Sequence, residues 1–355
     1  GGLAAQVELA QRPAAEIGDH LPRAEARRFA AKGFEMRGRP FIGFDVAREL
    51  LVDAGSADLD RDRTAFGRHR AVNLRDGRGG DRLVAFLKAA PAAKAPRALR
   101  IASFNVLNFF TGETAANPFP TRRGATDANE LQRQQAKMIA ALSRMDADVI
   151  GLLEVENNGF DERSALATIV RELNKALGEN RYAFVKPESS QGNDAIKVAI
   201  IYNQKKVMQA GKAAVTAQGP FAYGSRAPLA QSFKAKTAST SFTVSINHFK
   251  SKGSCPDKQS NTTTNGNNDN KDGQGCWNQS RVEAAKALAA WLQSQPTGVN
   301  TPHQLVIGDL NAYRKEDPIY ALEQAGWVHL APVAETGHYS YVYQGRTGSL
   351  DHALA

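Results

Sequence analysis

The stretch Gln304-Leu305-Val306-Ile307-Gly308-Asp309-Leu310-Asn311-Ala312 decides how this chain is read. Its apolar, β-branched run makes a short buried strand, and Gly308 lets the backbone turn sharply, so Asp309 and Asn311 project from the strand's end. A carboxylate and an amide two residues apart, on one side, can deprotonate a water while its target oxygen is held. Alone, Asp-x-Asn describes any strand that ends in a polar turn. It gains meaning because other strand ends in this chain look alike.

Working outward, Ser241-Phe242-Thr243-Val244-Ser245-Ile246-Asn247-His248-Phe249 is a strand that delivers His248 to its end and runs into Lys250, Ser251 and Lys252. Asp148-Val149-Ile150-Gly151-Leu152-Leu153-Glu154-Val155 is a buried strand that runs into a carboxylate, and burying that carboxylate beside other acids would require a cation to offset the charge. Leu99 to Val106 alternates as a strand that carries Asn105 near its end, and a further strand spans Asp194 to Tyr202. Taken singly, a histidine in a strand is a packed or surface residue and an asparagine at a strand end is a turn residue. Helices are expected over Asn129–Met145, capped by Asp127 or Asn129, over Ala165–Leu177 and over Arg281–Leu292, and Tyr182 to Lys186 is another strand. Strands alternating with helices, with polar residues gathered at strand ends, predict α and β layers around a central core.

The chain has 355 residues, enough to bury a substantial core, with an ordinary 42% hydrophobic and 23% charged content. No run of about 18 apolar residues occurs, so no membrane span is expected. The chain begins at Gly1 with neither an initiating methionine nor a signal-peptide pattern, as a processed chain or a fragment would. Its net charge of +9 suits an anionic partner, but the charge is unevenly spread. Residues 1 to 97 hold 15 Arg and 3 Lys against 13 acids, a net of +5, and the motif-bearing remainder is only mildly basic. All eight Tyr, all three Trp and both Cys lie beyond residue 180. The stretch from Ala89 to Pro96 resembles a linker, so two units are expected: residues 1–97, an accessory segment or remnant, and residues 98–355. Within the first, Phe41 to Asp53 could make a strand or two and Arg82 to Ala90 a short helix.

Between Cys255 and Cys276 the chain is almost wholly Asn, Thr, Asp, Gly, Gln and Lys, which cannot bury itself. Two cysteines bracketing such an insertion read as a disulfide pinning its base, and hence as an oxidising compartment; two free thiols in a cytosolic protein are the alternative. Asp269, Asp272 and their neighbours offer oxygen ligands for Ca²⁺ without the spacing of an EF-hand loop.

The pieces Ser103-Phe104-Asn105, Gly151-Leu152-Leu153-Glu154-Val155, Asn247-His248, Gly308-Asp309-Leu310-Asn311-Ala312 and Gly348-Ser349-Leu350-Asp351-His352 occur in an order that resembles the endonuclease/exonuclease/phosphatase superfamily, the fold of pancreatic deoxyribonuclease I. Any one is weak, but five in order across about 250 residues are specific. The runs Phe104 to Phe109, Arg123-Gly124-Ala125, Glu154-Val155-Glu156-Asn157, His248 to Gly253 and Asp272 to Cys276 look like the bacterial secreted nucleases of that group. The resemblance implies an α+β fold, a four-layer α/β/β/α sandwich, over residues 98–355.

It further implies a divalent-metal-dependent phosphodiesterase. Glu154, helped by Asn105, would hold Mg²⁺ or Mn²⁺, Asp309 would orient or deprotonate water, Asn311 would hold the phosphate, and His248 would donate to a phosphate oxygen or the leaving group. Asp351 joins the catalytic set, Asp194 would orient His248, and Arg226 and Lys250 would contact the substrate backbone. The implied substrate is nucleic acid, DNA in the first place with RNA left open, in an extracellular or periplasmic setting, with no obligate protein partner. A phospholipid or inositol-phosphate substrate on the same fold, and a non-catalytic nucleic-acid-binding module, are the competing readings. The superfamily pattern ends with two acidic motifs, and Leu350-Asp351-His352-Ala353-Leu354, about 40 residues past Asp309, fits the first of them. The final Asp-His pair and the last strand are then expected to be absent from this chain; if Asp351-His352 is itself the terminal pair, the site is complete.

Overall fold

A computed structural model of the protein describes residues 44–46, 98–114, 117–256, 266–330, 339–343 and 345–355. The helix expected over Arg82 to Ala90 and the linker from Ala89 to Pro96 lie outside the described residues.

Two five-stranded sheets pack face to face. The first runs in the order β1 (Phe44–Val46), β2 (Leu99–Phe109), β5 (Val149–Glu156), β7 (Ile196–Asn203) and β6 (Tyr182–Phe184). The second runs β14 (Asp351–Leu354), β11 (Gln304–Asp309), β10 (Ser241–His248), β9 (Leu229–Ala235) and β8 (Val207–Val215). Two small hairpins, β3 (Glu113–Thr114) with β4 (Asn117–Pro118) and β12 (Tyr341–Tyr343) with β13 (Arg346–Gly348), sit outside the main sheets. Strand β1 is the one described part of the first 97 residues, and it lies parallel to β2 in the register Phe44↔Leu99.

Layering follows from the sequence pattern. Helices α1 (Ala128–Met145) and α2 (Ala165–Leu177) turn Met138, Leu142, Ile169 and Leu173 onto Phe104, Leu152 and Tyr182 on the outer face of the first sheet. Helices α3 (Asn278–Gln293) and α4 (Asp317–Gln324) cover the second sheet with Ala284, Leu288, Ile319 and Leu322 against Val306 and Leu354. Between the sheets lies a third apolar layer of Ile101, Val149, Leu153, Val198, Ile200, Phe233, Val244, Ile246 and Ile307. This is the expected four-layer α/β/β/α sandwich. Buried on both faces, β5 and β11 read as near-continuous apolar runs, whereas β2 and β10 alternate apolar residues with small or polar ones.

The sheets approach closely. A Cβ on Gly151 would lie 2.4 Å from Ile246 Cδ1, so glycine at the middle of β5 sets the spacing there. Helix α1 starts as expected, with the Asp127 side chain accepting from Glu130 N at 2.8 Å. Elements the sequence pattern did not reveal are β8, β9, α4 and the β12–β13 hairpin. In β9, the polar Gln231 and Ser232 lie on opposite faces and are both fully buried; Gln231 Nε2 donates to Ala210 O at 3.0 Å and Ser232 O at 2.7 Å, and Ser232 Oγ bonds Thr243 Oγ1 at 2.7 Å and Thr297 Oγ1 at 2.6 Å, which offsets a pattern that would otherwise argue against a core strand.

Candidate active site

Register brings three of the expected residues into one row. His248 on β10 stands opposite Asp309 on β11, and Asp309 stands opposite Asp351 on β14. Directly opposed residues on neighbouring strands share a face, so an imidazole and two carboxylates emerge side by side at the sheet end. His248 Nε2 and Asp309 Oδ2 are 3.7 Å apart. Gly308 makes the geometry possible: its φ is +123°, and a Cβ there would lie 2.2 Å from Asn247 O. Asn311 follows at φ 48°, its backbone N donating to Asp309 Oδ1 at 2.8 Å and its Nδ2 to Phe249 O at 3.0 Å.

The first sheet contributes Glu154 and Asn105. Both β2 and β5 lose regular register where these residues sit, between Asn105 and Phe109 and between Leu152 and Val155. Irregular strand ends of this kind re-aim side chains. Glu154 itself has φ 62°, and Leu107 and Asn108 have φ 58° and 47°. Left-handed backbone at four non-glycine positions, counting Asn311, is the local strain expected where side-chain direction matters more than backbone comfort. Glu154 Oε1 accepts from Asn105 Nδ2 at 3.0 Å and its Oε2 from Asn108 N at 2.9 Å, while Asn105 Oδ1 accepts from Leu107 N at 2.8 Å. Asn105 thus orients Glu154.

Electrostatics join the two halves. Asp309 titrates well above the ordinary carboxylate range, pushed up by burial first, then by Asp351, with Glu154 adding to the repulsion. Asp351 is pushed up to about 6, again by burial first and with Glu154 contributing. Burial, then the charges of Arg226 and Arg123, holds His248 well below the usual histidine range, so its ring is neutral at pH 7. The buried Asp351 Oδ1 and His248 Nδ1 have no hydrogen-bond partner.

Three expected roles are altered. Asp194 does not orient His248: its Oδ1 takes a bond from Arg123 Nη1 at 3.0 Å, and its Oδ2 lies 3.3 Å from Arg226 Nε. The carboxylate ties two arginines together instead. Arg226 does reach the site, its backbone N donating to His248 O at 2.9 Å. Lys250 is drawn back instead, its Nζ bonding Ser251 O at 3.3 Å and Gly253 O at 3.4 Å and lying 4.7 Å from the Trp277 ring. The Ca²⁺ ligands suggested in the insertion are also engaged, Asp269 by Lys271 and Asp272 by Gln274 N. Cys255 and Cys276 do form the disulfide. His352 turns inward, its Nε2 2.6 Å from Ala312 O and its Nδ1 2.8 Å from His329 Nε2.

Residues the sequence reading passed over also shape the site. Arg123 is held near it because Gly124 nests on the Asn108 turn, where a Cβ would lie 2.4 Å from Asn108 O. Glu156 is buried and accepts from Thr111 N, Asn117 Nδ2 and Asn158 Nδ2 at 2.9–3.0 Å, tying down the segment after β2. The fully buried Arg281 donates to Cys276 O at 2.8 Å, Gln274 O at 3.1 Å and Lys250 O at 3.3 Å, pinning the base of the insertion. Arg123 and Glu156 stood within quoted motifs without a role being given to either, whereas Arg281 entered only as the start of a helix.

The model of the Endonuclease/Exonuclease/phosphatase family matches residues 102–355. This chain belongs to that family. As a member, it has the family's two-sheet fold and the hydrolytic phosphoesterase character that goes with it. No curated protein sequence matches the chain. Among solved structures, similarity extends to the human Nocturnin catalytic domain (14% identity, TM-score 0.42, covering 63% of this chain and 74% of that one) and to a Bacteroides thetaiotaomicron mannosyl-6-phosphatase (14%, 0.44, 72% and 85%). Another is the D. rerio TDP2 complex with a single-strand DNA product (11%, 0.39, 62% and 75%). Within the family member described here, no cluster of three or more His, Cys, Asp or Glu forms a ready-made metal cage among the described residues, and no described helix is long and apolar enough to cross a membrane.

Proposed function

We propose that the chain is a secreted, divalent-metal-dependent nuclease that hydrolyses phosphodiester bonds of DNA, and of RNA, with little sequence preference. The observation that carries this reading is the row His248, Asp309, Asp351 with Glu154 facing it: three buried or half-buried acids that repel one another and leave a carboxylate oxygen unpartnered. Such a set fits a hard cation that prefers oxygen donors, with Glu154, oriented by Asn105, as the principal ligand. Mg²⁺ or Mn²⁺ held there supplies charge neutralisation at a phosphate oxygen.

The remaining chemistry falls to side chains. Asp309, 3.7 Å from His248 and opposite Asp351 in the row, takes a proton from the attacking water. The second N–H of the Asn311 amide is available to hold a non-bridging oxygen, since only one bond, to Phe249 O, is fixed. Neutral His248 donates a single hydrogen bond to the phosphate. Arg123 and Arg226, bridged by Asp194, leave one net positive charge beside the imidazole to receive the backbone of the substrate. The disulfide supports an oxidising compartment.

The test is incubation of supercoiled plasmid, RNA and phospholipid vesicles with Mg²⁺, with Mn²⁺ or with chelator, using this chain and a form extended at the C-terminus. Metal-dependent nicking that is lost in Asp309→Ala is expected. Lipid turnover without DNA cleavage, or DNA binding without turnover by either form, would refute it.

A further inference from the structure

Hairpin β12–β13 lies beside the catalytic row and has no part in the chemistry above. Ser340 Oγ accepts from Leu350 N at 2.9 Å and from Asp351 N at 3.1 Å, so the start of the hairpin is fastened to the start of β14. Its register is Tyr341↔Gly348, Val342↔Thr347, Tyr343↔Arg346. Facing residues share a side, so Tyr341, Tyr343, Arg346 and the vacant side of Gly348 lie on one face. That vacancy is filled by Tyr313, two residues after Asn311: a Cβ on Gly348 would stand 2.5 Å from Tyr313 Cε1. The result is one aromatic row, Tyr313, Tyr341, Tyr343, that begins at the phosphate-binding end of β11 and leads outward.

The outer part of this row is open to solvent. Tyr341 is 37% exposed and Tyr343 54%, and their rings are nearly parallel, 13° apart in plane with centroids 6.4 Å apart. Exposed tyrosines grouped in this way mark a recognition surface. Charge selects the occupant. From Ser340 to Ser349 the hairpin holds one charged residue, Arg346, and no carboxylate; at the inner end Lys252 Nζ, 5.5 Å from the Tyr313 ring centroid, is neutralised by Glu316 Oε2 at 2.6 Å and adds no net charge. Grouped exposed rings beside an arginine, with no carboxylate on the hairpin, suit an anionic strand that has flat apolar faces to offer.

We infer that Tyr313, Tyr341 and Tyr343 form a stacking platform for unpaired bases of a nucleic-acid strand whose scissile phosphate lies at Asp309 and His248. The inference rests on the nuclease reading and narrows it to substrates with single-stranded character. In a duplex the base faces are already stacked on one another, whereas in a single strand they are free to lie on the tyrosines. The platform is sequence-tolerant because every base has a flat face.

The test measures dissociation constants in chelator, so that nothing is cut, for oligothymidylate and for a blunt duplex of equal length. The proteins are the full chain, the pair Tyr341→Ala with Tyr343→Ala, Tyr343→Ala alone, the pair Tyr341→Phe with Tyr343→Phe, and Tyr320→Ala on the exposed side of α4 as a surface control. The Ala pair is expected to weaken single-strand binding about tenfold or more, with Tyr343→Ala alone losing part of this, while duplex binding changes little and the Phe pair binds as the parent does. Single-strand binding that survives loss of both rings, or equal losses for single strand and duplex, or a Phe pair as weak as the Ala pair, would overturn the platform. Should the Ala pair fail to fold, Tyr343→Ala and the Phe pair decide by the same comparison. If the parent chain cleaves plasmid and only the ring dependence is missing, the platform alone falls; if it neither cleaves nor binds any nucleic acid, the nuclease reading falls with it.

Discussion

Replacing Asp351 by Asn should make the metal-free protein more stable at pH 8 and leave it unchanged at pH 4. Burial and then the charge of Glu154 hold the Asp351 carboxyl up at about 6 against an ordinary value of 3.8. A difference of that size corresponds to about 3 kcal/mol of preference for the protonated form in the folded chain. The sign follows from proton binding. Between about pH 4 and 6 the folded state holds a proton that the unfolded chain has released, so stability falls as pH rises through this window and the whole penalty is present above it. Asparagine keeps the shape and removes the ionisation, and it also relieves Asp309, which Asp351 pushes upward. The Ser340 hydroxyl's bond to the carboxylate is already contained in that difference, so the expected net gain is about 3 kcal/mol. For a domain of this size that is about 6–12 °C in melting temperature. Thermal unfolding with EDTA at pH 4 and pH 8 measures it, and added Mg²⁺ should narrow or reverse the gap by binding the folded parent more tightly than the variant. Equal melting temperatures at pH 8, or the same gap at both pH values, would show that the carboxylates do not strain one another as the geometry requires.

Two further outcomes follow from close packing and from chain connectivity. Gly308→Ala forces a side chain onto φ +123° and places its Cβ 2.2 Å from Asn247 O, so a loss of roughly 3 kcal/mol is expected in urea unfolding; a change under about 1 kcal/mol would mean that the turn relaxes freely. Reducing the disulfide between Cys255 and Cys276, or replacing both cysteines by Ser, releases a loop of sequence separation 21 and should cost about 3 kcal/mol, seen as a lower urea midpoint with dithiothreitol; an unshifted midpoint would mean that Arg281 and its carbonyl partners hold the insertion unaided.

Sequence alone determined the apolar runs of β5 and β11, the alternation of β2 and β10, the amphipathic spans of α1 and α2, and the fact that Asn105, Glu154, His248 and Asp309 stand at or near strand ends. These are local properties: period, β-branching and a glycine or polar residue where the run stops. It did not reveal β9, because buried Gln231 and Ser232 look like surface residues until the Ala210 carbonyl is placed beside the first and Thr243 and Thr297 beside the second. Nor could it assign Asp194, whose choice between an imidazole and two arginines depends on segments some 70 and 30 residues away in sequence. Tertiary structure decided that His248, Asp309 and Asp351 share one register row, that irregular strand ends aim Glu154 at it, and that a tyrosine-bearing hairpin lies alongside. Register and the facing of two sheets arise from pairings between distant segments, and a one-residue slip would send each of these side chains to the opposite face without changing any local pattern.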